Sequence, residues 1–133
     1  MADAQAGEGR GRRKVLVADD NTDAAESLAM LLEIMGNEVL TAADGEDAVK
    51  AAEAFRPDVA VLDIGMPRLD GNEAARRIRA TEWGRRTVLI ALTGWGQAED
   101  RRRTAEAGFD VHITKPVDPS TLDALLTELC RKK

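Results

Sequence analysis

Apolar residues cluster in short runs that are rich in β-branched side chains and leucine, a composition typical of buried β-strands. Five such runs lie along the chain, and longer, more polar segments separate them. They are KVLVA at 14–18, EVLTA at 38–42, DVAVLDI at 58–64, TVLIAL at 87–92 and DVHIT at 110–114. The pattern therefore predicts five strands.

The segments between the runs repeat apolar residues at helical spacing, so they predict helices with one buried face. The first and last stripes share an i, i+3, i+4, i+7 pattern. They are Leu28, Leu31, Leu32 and Met35, and Leu122, Leu125, Leu126 and Leu129. Shorter patterns predict helices after Gly45 and after Gly71, and a fourth helix is expected to begin near Gln97. Asp118 and Pro119 predict the N-cap and the first residue of the last helix.

Strands that alternate with helices through short connections favour a parallel sheet with helices on both faces, because right-handed crossovers place them there. The continuous apolar run VAVL at 59–62 fits a central strand that is buried on both sides. We therefore predict an α/β fold of the doubly wound class. In such sheets, ligands bind beyond the carboxyl ends of the strands, where the strand order reverses.

Four of the predicted strands end in side chains that are suited to ligand binding. Asp19 and Asp20 follow the first strand, Asp63 ends the third, Thr93 follows the fourth and Lys115 follows the fifth. Taken singly, an acid there often caps a helix, a threonine begins a turn and a lysine is solvated. Their coincidence at one edge of the sheet favours a functional site. A pair of adjacent carboxylates attracts a cation.

Composition and charge narrow the class of protein. A chain of 133 residues with 44% hydrophobic residues is expected to form one domain, at 14–133, after a flexible polar tail at 1–13. The net charge of −5 disfavours a nucleic-acid partner. We find neither a long apolar run nor a signal core, so we expect a cytoplasmic protein without a membrane partner. The single cysteine, Cys130, lies in a leucine-bearing helix and is interpreted as packing.

Four segments of the chain resemble the signature segments of response-regulator receiver domains, in order and with suitable spacing. They are VADDN, VLDIGMPRLDG, ALTGWG and ITKP. The resemblance runs from about Lys14 to Cys130, and the region GWGQAEDRRRTAEAGFDVHITKPVDP is similar to receivers of hybrid histidine kinases and their single-domain relatives. It implies a flavodoxin-like, five-stranded parallel sheet of order 2-1-3-4-5 with five helices, and a cis peptide bond between Lys115 and Pro116.

The resemblance also implies a function in two-component or phosphorelay signalling. Asp63 would accept a phosphoryl group from a histidine kinase or a histidine phosphotransfer protein, and this would switch a protein-binding surface. Such a receiver catalyses its own phosphorylation and dephosphorylation and is not otherwise an enzyme. The implied cofactor is Mg²⁺, held by Asp20, Asp63 and the Gly65 carbonyl, with Asp19 acting largely through water. Lys115 would contact the transferred group.

Two departures from the family pattern concern the switch and the rim of the site. Thr93 would hydrogen-bond a phosphoryl oxygen and take part in switching, but His112 stands where the family usually has tyrosine or phenylalanine. It is interpreted either as a core imidazole or as a polar switch. At the rim, Gly65 offers no side chain, and Trp95 offers bulk and one N–H donor. We therefore expect slow self-dephosphorylation.

Two other classes of function are weaker interpretations. Phosphatases with an aspartate nucleophile commonly carry a second acid two residues later, where this chain has Gly65. Non-phosphorylated modules of the same fold usually lose an acid, the hydroxyl or the lysine, and all of these are present here. We expect a monomer. Only Arg131 and two lysines follow the last helix, so we expect no effector domain, whether the chain is a single-domain regulator or a receiver cut from a hybrid kinase.

Overall fold

The computed structural model describes residues 12–66, 69–94 and 100–131, in which strands and helices alternate. The strands are β1 (Lys14–Ala18), β2 (Glu38–Ala42), β3 (Val59–Asp63), β4 (Val88–Thr93) and β5 (Val111–Thr114). The helices are α1 (Thr22–Ile34), α2 (Gly45–Phe55), α3 (Gly71–Arg79), α4 (Asp100–Ala107) and α5 (Pro119–Arg131). A short 3₁₀ helix, Trp83–Arg85, precedes β4. The predicted start of the fourth helix, near Gln97, lies outside the described residues.

The five strands form one parallel sheet in the order β2-β1-β3-β4-β5. This confirms the doubly wound fold and the strand order that the resemblance implies. Every residue of β3 is buried, as expected for a central strand. Since β1 and β3 are neighbours, with Ala18 opposite Leu62, the residues that follow these two strands meet at the same edge of the sheet.

Apolar side chains fill the space on both faces of the sheet. On one face, α1 and α5 pack over alternate residues of the inner strands; the fully buried residues there include Val15, Val59, Ile90, Leu32, Leu122 and Leu126. On the other face, α2, α3 and α4 cover a second cluster, which includes Leu16, Leu62, Leu89, Ala52, Ala75 and Ile78. Cys130 is half-buried against the first cluster, in agreement with a packing role.

The predicted stripe of α1 is only half correct. Leu28 and Leu32 are buried, but Leu31 remains 41% exposed and Met35 remains 37% exposed. The helix instead turns Ala25 towards the sheet, because a small side chain allows close packing on the strands. The apolar edge of α1 that contains Leu31 is therefore exposed to solvent.

Polar side chains cap the helices that follow the strands. Asn21, Asp44 and Asp70 each accept a hydrogen bond from a backbone N–H in the first turn of their helix. Asp118 precedes α5 and accepts a hydrogen bond of 2.7 Å from the Thr121 hydroxyl, which lowers its pKa. The predicted start of the last helix is thus confirmed. None of the helices within the described ranges is both long enough and apolar enough to cross a membrane.

One arginine connects several segments at the amino-terminal edge of the sheet, which is the edge away from the acid residues. Arg79, at the end of α3, donates hydrogen bonds from its guanidinium to the carbonyl oxygens of Gly108, Gly84 and Thr87, at 2.8, 2.8 and 2.6 Å. It also forms an ion pair of 2.7 Å with Asp110. These bonds join the end of α3 to the segments that lead into β4 and β5.

Candidate functional site

Three aspartates meet beyond the carboxyl ends of β1 and β3. One carboxylate oxygen from each of Asp19, Asp20 and Asp63 lies within 4.8 Å of the other two. Asp19 and Asp63 are almost fully buried, at 5% and 7% exposure, whereas Asp20 is exposed. Carboxylate oxygens at this spacing are the ligands that Mg²⁺ and Ca²⁺ prefer in proteins.

Backbone hydrogen bonds orient the two buried carboxylates. Asp19 Oδ1 accepts from the Asn21 N–H at 3.0 Å, and the Asp19 N–H donates to the Ala42 carbonyl at 3.0 Å. Asp63 Oδ1 accepts from the Gly65 N–H at 3.0 Å. Asn21 therefore caps α1 and also positions Asp19. The sequence carries a signal for the capping role, an amide directly before a predicted helix, but no signal for the bond to Asp19.

Lys115 approaches the acids from β5. Its Nζ donates to Asp63 Oδ2 at 2.7 Å and lies 3.4 Å from Asp19 Oδ2. The Lys115 N–H donates to the Thr93 carbonyl at 2.8 Å, and the bond between Lys115 and Pro116 is cis, as predicted. Burial lowers the pKa of Lys115, but the hydrogen bond and charge of Asp63, with the charge of Asp19, outweigh this and raise it. Lys115 is thus an ammonium at neutral pH.

The acid cluster carries more negative charge than one ammonium balances. Burial raises the pKa of Asp19, and the neighbouring Asp63 raises it further, against the opposing effects of the Asn21 N–H and Lys115. A divalent cation would relieve this repulsion. The charge and the oxygen donors of Asp19, Asp20 and Asp63 therefore fit a hard divalent metal ion.

This repulsion leads to a stability prediction for Asp19→Asn. Because the pKa of Asp19 is raised in the folded state, ionisation of Asp19 lowers stability as the pH rises through that folded pKa. Asparagine keeps the acceptor for the Asn21 N–H but carries no charge. In metal-free buffer at pH 7, we expect the variant to be more stable than the wild type and to have a higher Tm.

The gain from Asp19→Asn should shrink as the pH falls towards 3.8, the ordinary pKa of an aspartate, because the wild-type carboxyl is then protonated too. Thermal unfolding measured across this pH range tests the prediction. Asp23→Asn, which removes an exposed acid from the first turn of α1, is the control. An equal gain from both variants would show that only net charge matters.

The structure describes three of the four remaining predicted site residues. Thr93 is 2% exposed at the end of β4, one residue beyond Leu92, which is the strand partner of Asp63. His112 is half-buried in β5, opposite Ala91. Gly65 is exposed, and a Cβ there would contact only Asp63 Oδ1, at 3.7 Å. Trp95 lies outside the part of the chain that the structure describes.

A doubly wound parallel sheet with buried acids and a lysine beyond its carboxyl edge defines a recognisable class of α/β signalling domain. The chain matches the model of the response regulator receiver domain over residues 15–127, and it therefore belongs to this family. Members of the family act in two-component signalling.

Curated relatives are about one third identical to the chain over the aligned residues. An uncharacterized 14.6 kDa protein in the sodA1 3' region of Leptolyngbya boryana is 36% identical over 116 residues, which cover 87% of this chain and 88% of that protein. The alkaline phosphatase synthesis transcriptional regulatory protein PhoP of Bacillus subtilis is 35% identical over 120 residues, covering 90% of this chain. The match spans 49% of PhoP, and about half the length of several other transcriptional regulators.

Solved structures of receiver domains superpose closely. The receiver domain of the sensor histidine kinase PA1611 from Pseudomonas aeruginosa, crystallised with magnesium coordinated in its active site cleft, is 34% identical, with a TM-score of 0.82. The comparison covers 90% of this chain and 98% of that one. The chemotaxis response regulator CheY4 of Vibrio cholerae is 30% identical with a TM-score of 0.82, covering 89% of this chain and 98% of CheY4.

Proposed function

We propose that this domain is a phosphoacceptor that receives a phosphoryl group on Asp63 from a histidine kinase or a histidine phosphotransfer protein. The observation that carries the proposal is the environment of Asp63. Its buried carboxylate lies 2.7 Å from the Lys115 ammonium and within 4.8 Å of two other acids. Mg²⁺ is the proposed cofactor, held by Asp20, Asp63 and the Gly65 carbonyl, with Asp19 nearby. The magnesium in the cleft of the PA1611 receiver supports this choice.

The proposed reaction is an in-line transfer between two protein side chains. Asp63 Oδ2 attacks phosphorus while the P–N bond breaks in a phosphohistidine that is protonated on its other ring nitrogen; the bonding pair stays on nitrogen, giving an aspartyl phosphate and a neutral imidazole. Oδ1 accepts from the Gly65 N–H and Oδ2 accepts from Lys115; the attack is assigned to Oδ2, because its lysine contact can pass to the arriving phosphoryl group. Bound Mg²⁺ would supply positive charge against the oxygens of the transferred group.

Lys115 and Thr93 are proposed to stabilise the phosphoryl group once it arrives. The Lys115 Nζ that contacts Asp63 Oδ2 can transfer its hydrogen bond to a phosphoryl oxygen, and the Thr93 hydroxyl can donate to another. Movement of Thr93 is the proposed first step of the switch, with His112 on the adjacent strand as the second residue involved. The domain acts in this way on its own phosphoryl group and on no separate substrate.

The rim of the site leads to a prediction about phosphoryl lifetime. Polar side chains at positions 65 and 95 can orient a water molecule for hydrolysis, but Gly65 has no side chain and Trp95 has no acceptor. We expect slow decay in the wild type and decay about tenfold faster in Gly65→Asn or Trp95→Glu. Position 65 has room for the asparagine, because a Cβ there makes only an ordinary contact.

Decay of the phosphorylated protein, followed by intact mass, measures this lifetime. Gly36→Asn is the control for strain alone: its φ of 102° makes any side chain there strained, although nothing lies within 4 Å of its Cβ position, and it precedes β2 at the edge of the sheet away from the acids, so decay should not change. If neither Gly65→Asn nor Trp95→Glu speeds decay, the lack of polar side chains at positions 65 and 95 does not set the lifetime, and the two residues serve packing or recognition.

An apolar groove beside Lys115 supports a protein as the phosphoryl donor. The groove has a volume of about 610 Å³ and lies between α1 and the connection from β5 to α5. Its apolar lining includes Leu28, Leu31, Leu92, Pro116 and Val117. The same helix exposes Met30 at 60% and Ile34 at 75%. An apolar surface next to a charged site is typical of protein docking.

A further inference from the structure

The first residue of α3 touches the backbone that carries the proposed phosphoacceptor. Gly71 is buried, and its N–H donates to the Ile64 carbonyl at 3.2 Å. A Cβ at this position would lie 2.6 Å from the Asp63 carbonyl oxygen and 2.7 Å from Ile64 Cα, closer than side chains approach backbone atoms. The start of α3 is therefore in direct contact with the end of β3.

The first residue of α2 touches the same loop at its other end. Gly45 is buried, and a Cβ there would overlap the Leu69 carbonyl oxygen and lie 2.7 Å from Leu69 Cβ. Neither Gly45 nor Gly71 has a positive φ, so an alanine could adopt either backbone conformation. Glycine is required at both positions only because there is no space for a side chain.

These two contacts lie at the two described ends of the loop between β3 and α3, one beside Gly65 and the other at Leu69. The Gly65 N–H fixes Asp63 Oδ1, and its carbonyl is a proposed Mg²⁺ ligand. We propose that Gly45 and Gly71 are positioning residues for this metal site: by omitting a Cβ, they let the starts of α2 and α3 seat the loop at the depth that aligns Gly65 with the aspartates. The inference rests on the proposed function of the site.

Metal coordination tolerates little displacement of a ligand, so the position of Gly65 matters for Mg²⁺ binding. Mg²⁺ requires nearly octahedral geometry, and ligand distances in a working site vary by only about 0.2 Å. An alanine at position 45 forces either Leu69 or α2 to move by more than this, since the overlap is with a backbone oxygen and no rotamer change relieves it. Leu69 packs against the apolar core and stands two residues before Gly71, so its movement also displaces the start of α3, which contacts Asp63 and Ile64.

Gly45→Ala tests the inference, with Gly84→Ala as the matched control. Gly84 is also buried, and a Cβ there would overlap the Ile78 carbonyl oxygen, but this glycine follows α3 and lies away from the acids. Calorimetric titration of each purified full chain with MgCl₂ gives Kd, and thermal unfolding gives Tm. We expect both variants to lower Tm, while only Gly45→Ala weakens Mg²⁺ binding, by at least tenfold.

The possible results separate the inference from the function on which it rests. A Kd for Gly45→Ala within twofold of wild type, or an equal loss in Gly84→Ala, overturns the positioning role. Wild-type protein that binds no Mg²⁺ overturns the proposed site instead. If Gly45→Ala does not fold, Leu69→Ala decides, because it keeps the atoms that meet Gly45 but removes the side chain that packs this end of the loop on the core: a Kd at least threefold weaker supports the role, and an unchanged Kd refutes it.

Discussion

Asp63→Asn is expected to abolish the Mg²⁺-dependent gain of one phosphoryl group when the protein is incubated with a small phosphodonor. The amide has no anionic oxygen to attack phosphorus, so the loss should be complete. The fold should persist, because the amide oxygen still accepts from the Gly65 N–H and the variant removes one charge from a crowded cluster. Intact mass spectrometry measures the gain directly.

Asp23→Asn again serves as the control, because it removes an equal charge from the exposed first turn of α1. This variant should gain the phosphoryl group as the wild type does. A phosphoryl gain that persists in Asp63→Asn would place the acceptor on another residue and would refute the proposed function. Omission of Mg²⁺ from the wild-type reaction tests the cofactor separately.

Leu31→Lys is expected to slow phosphoryl transfer from a protein donor by roughly tenfold to a hundredfold. Leu31 lines the apolar groove beside Lys115, and a lysine there places an ammonium where the partner would bury apolar surface. A loss of about 1.4–3 kcal/mol of binding free energy corresponds to this range. Phosphorylation by a small phosphodonor should be unchanged, since the acids and Lys115 are intact.

Leu40→Lys is a closely matched control for this experiment. Leu40 is 40% exposed, against 41% for Leu31, but it lies in the edge strand β2, opposite Leu16, whose side chain packs on the other face of the sheet. The transfer rate is measured for both variants with a phosphorylated histidine phosphotransfer domain that is active on the wild type. Equal slowing by both would exclude the groove as the docking surface.

The sequence predicted the fold well because its strands and helices differ strongly in pattern. A continuous apolar run identified β3 as central, and Asp118 with Pro119 identified the start of α5. The strand order came from the resemblance, since periodicity says nothing about which strands are neighbours. The exposure of Leu31 and Met35 was not predicted, because an i, i+3, i+4, i+7 stripe does not show how far a helix turns away from the sheet.

The site was predicted from residues at strand ends, because the carboxyl ends of parallel strands lie at the same edge of the sheet. Asp63 and Lys115 are 52 residues apart but form an ion pair of 2.7 Å. The contact of Gly45 with Leu69 has no comparable signal. A glycine in a sequence shows freedom of the backbone, but what lies against it is decided only when α2 and the loop after β3 come together.

The bonds of Arg79 have a consequence for how the chain folds. The guanidinium satisfies carbonyl oxygens of Gly84, Thr87 and Gly108 at once, and Asp110, its ion-pair partner, also accepts from the Leu89 N–H. The connections into β4 and β5 therefore gain these hydrogen bonds only after α3 has formed. This makes the second half of the sheet a single cooperative unit, whose amide hydrogens should exchange together when it opens, although its strands are separated in sequence.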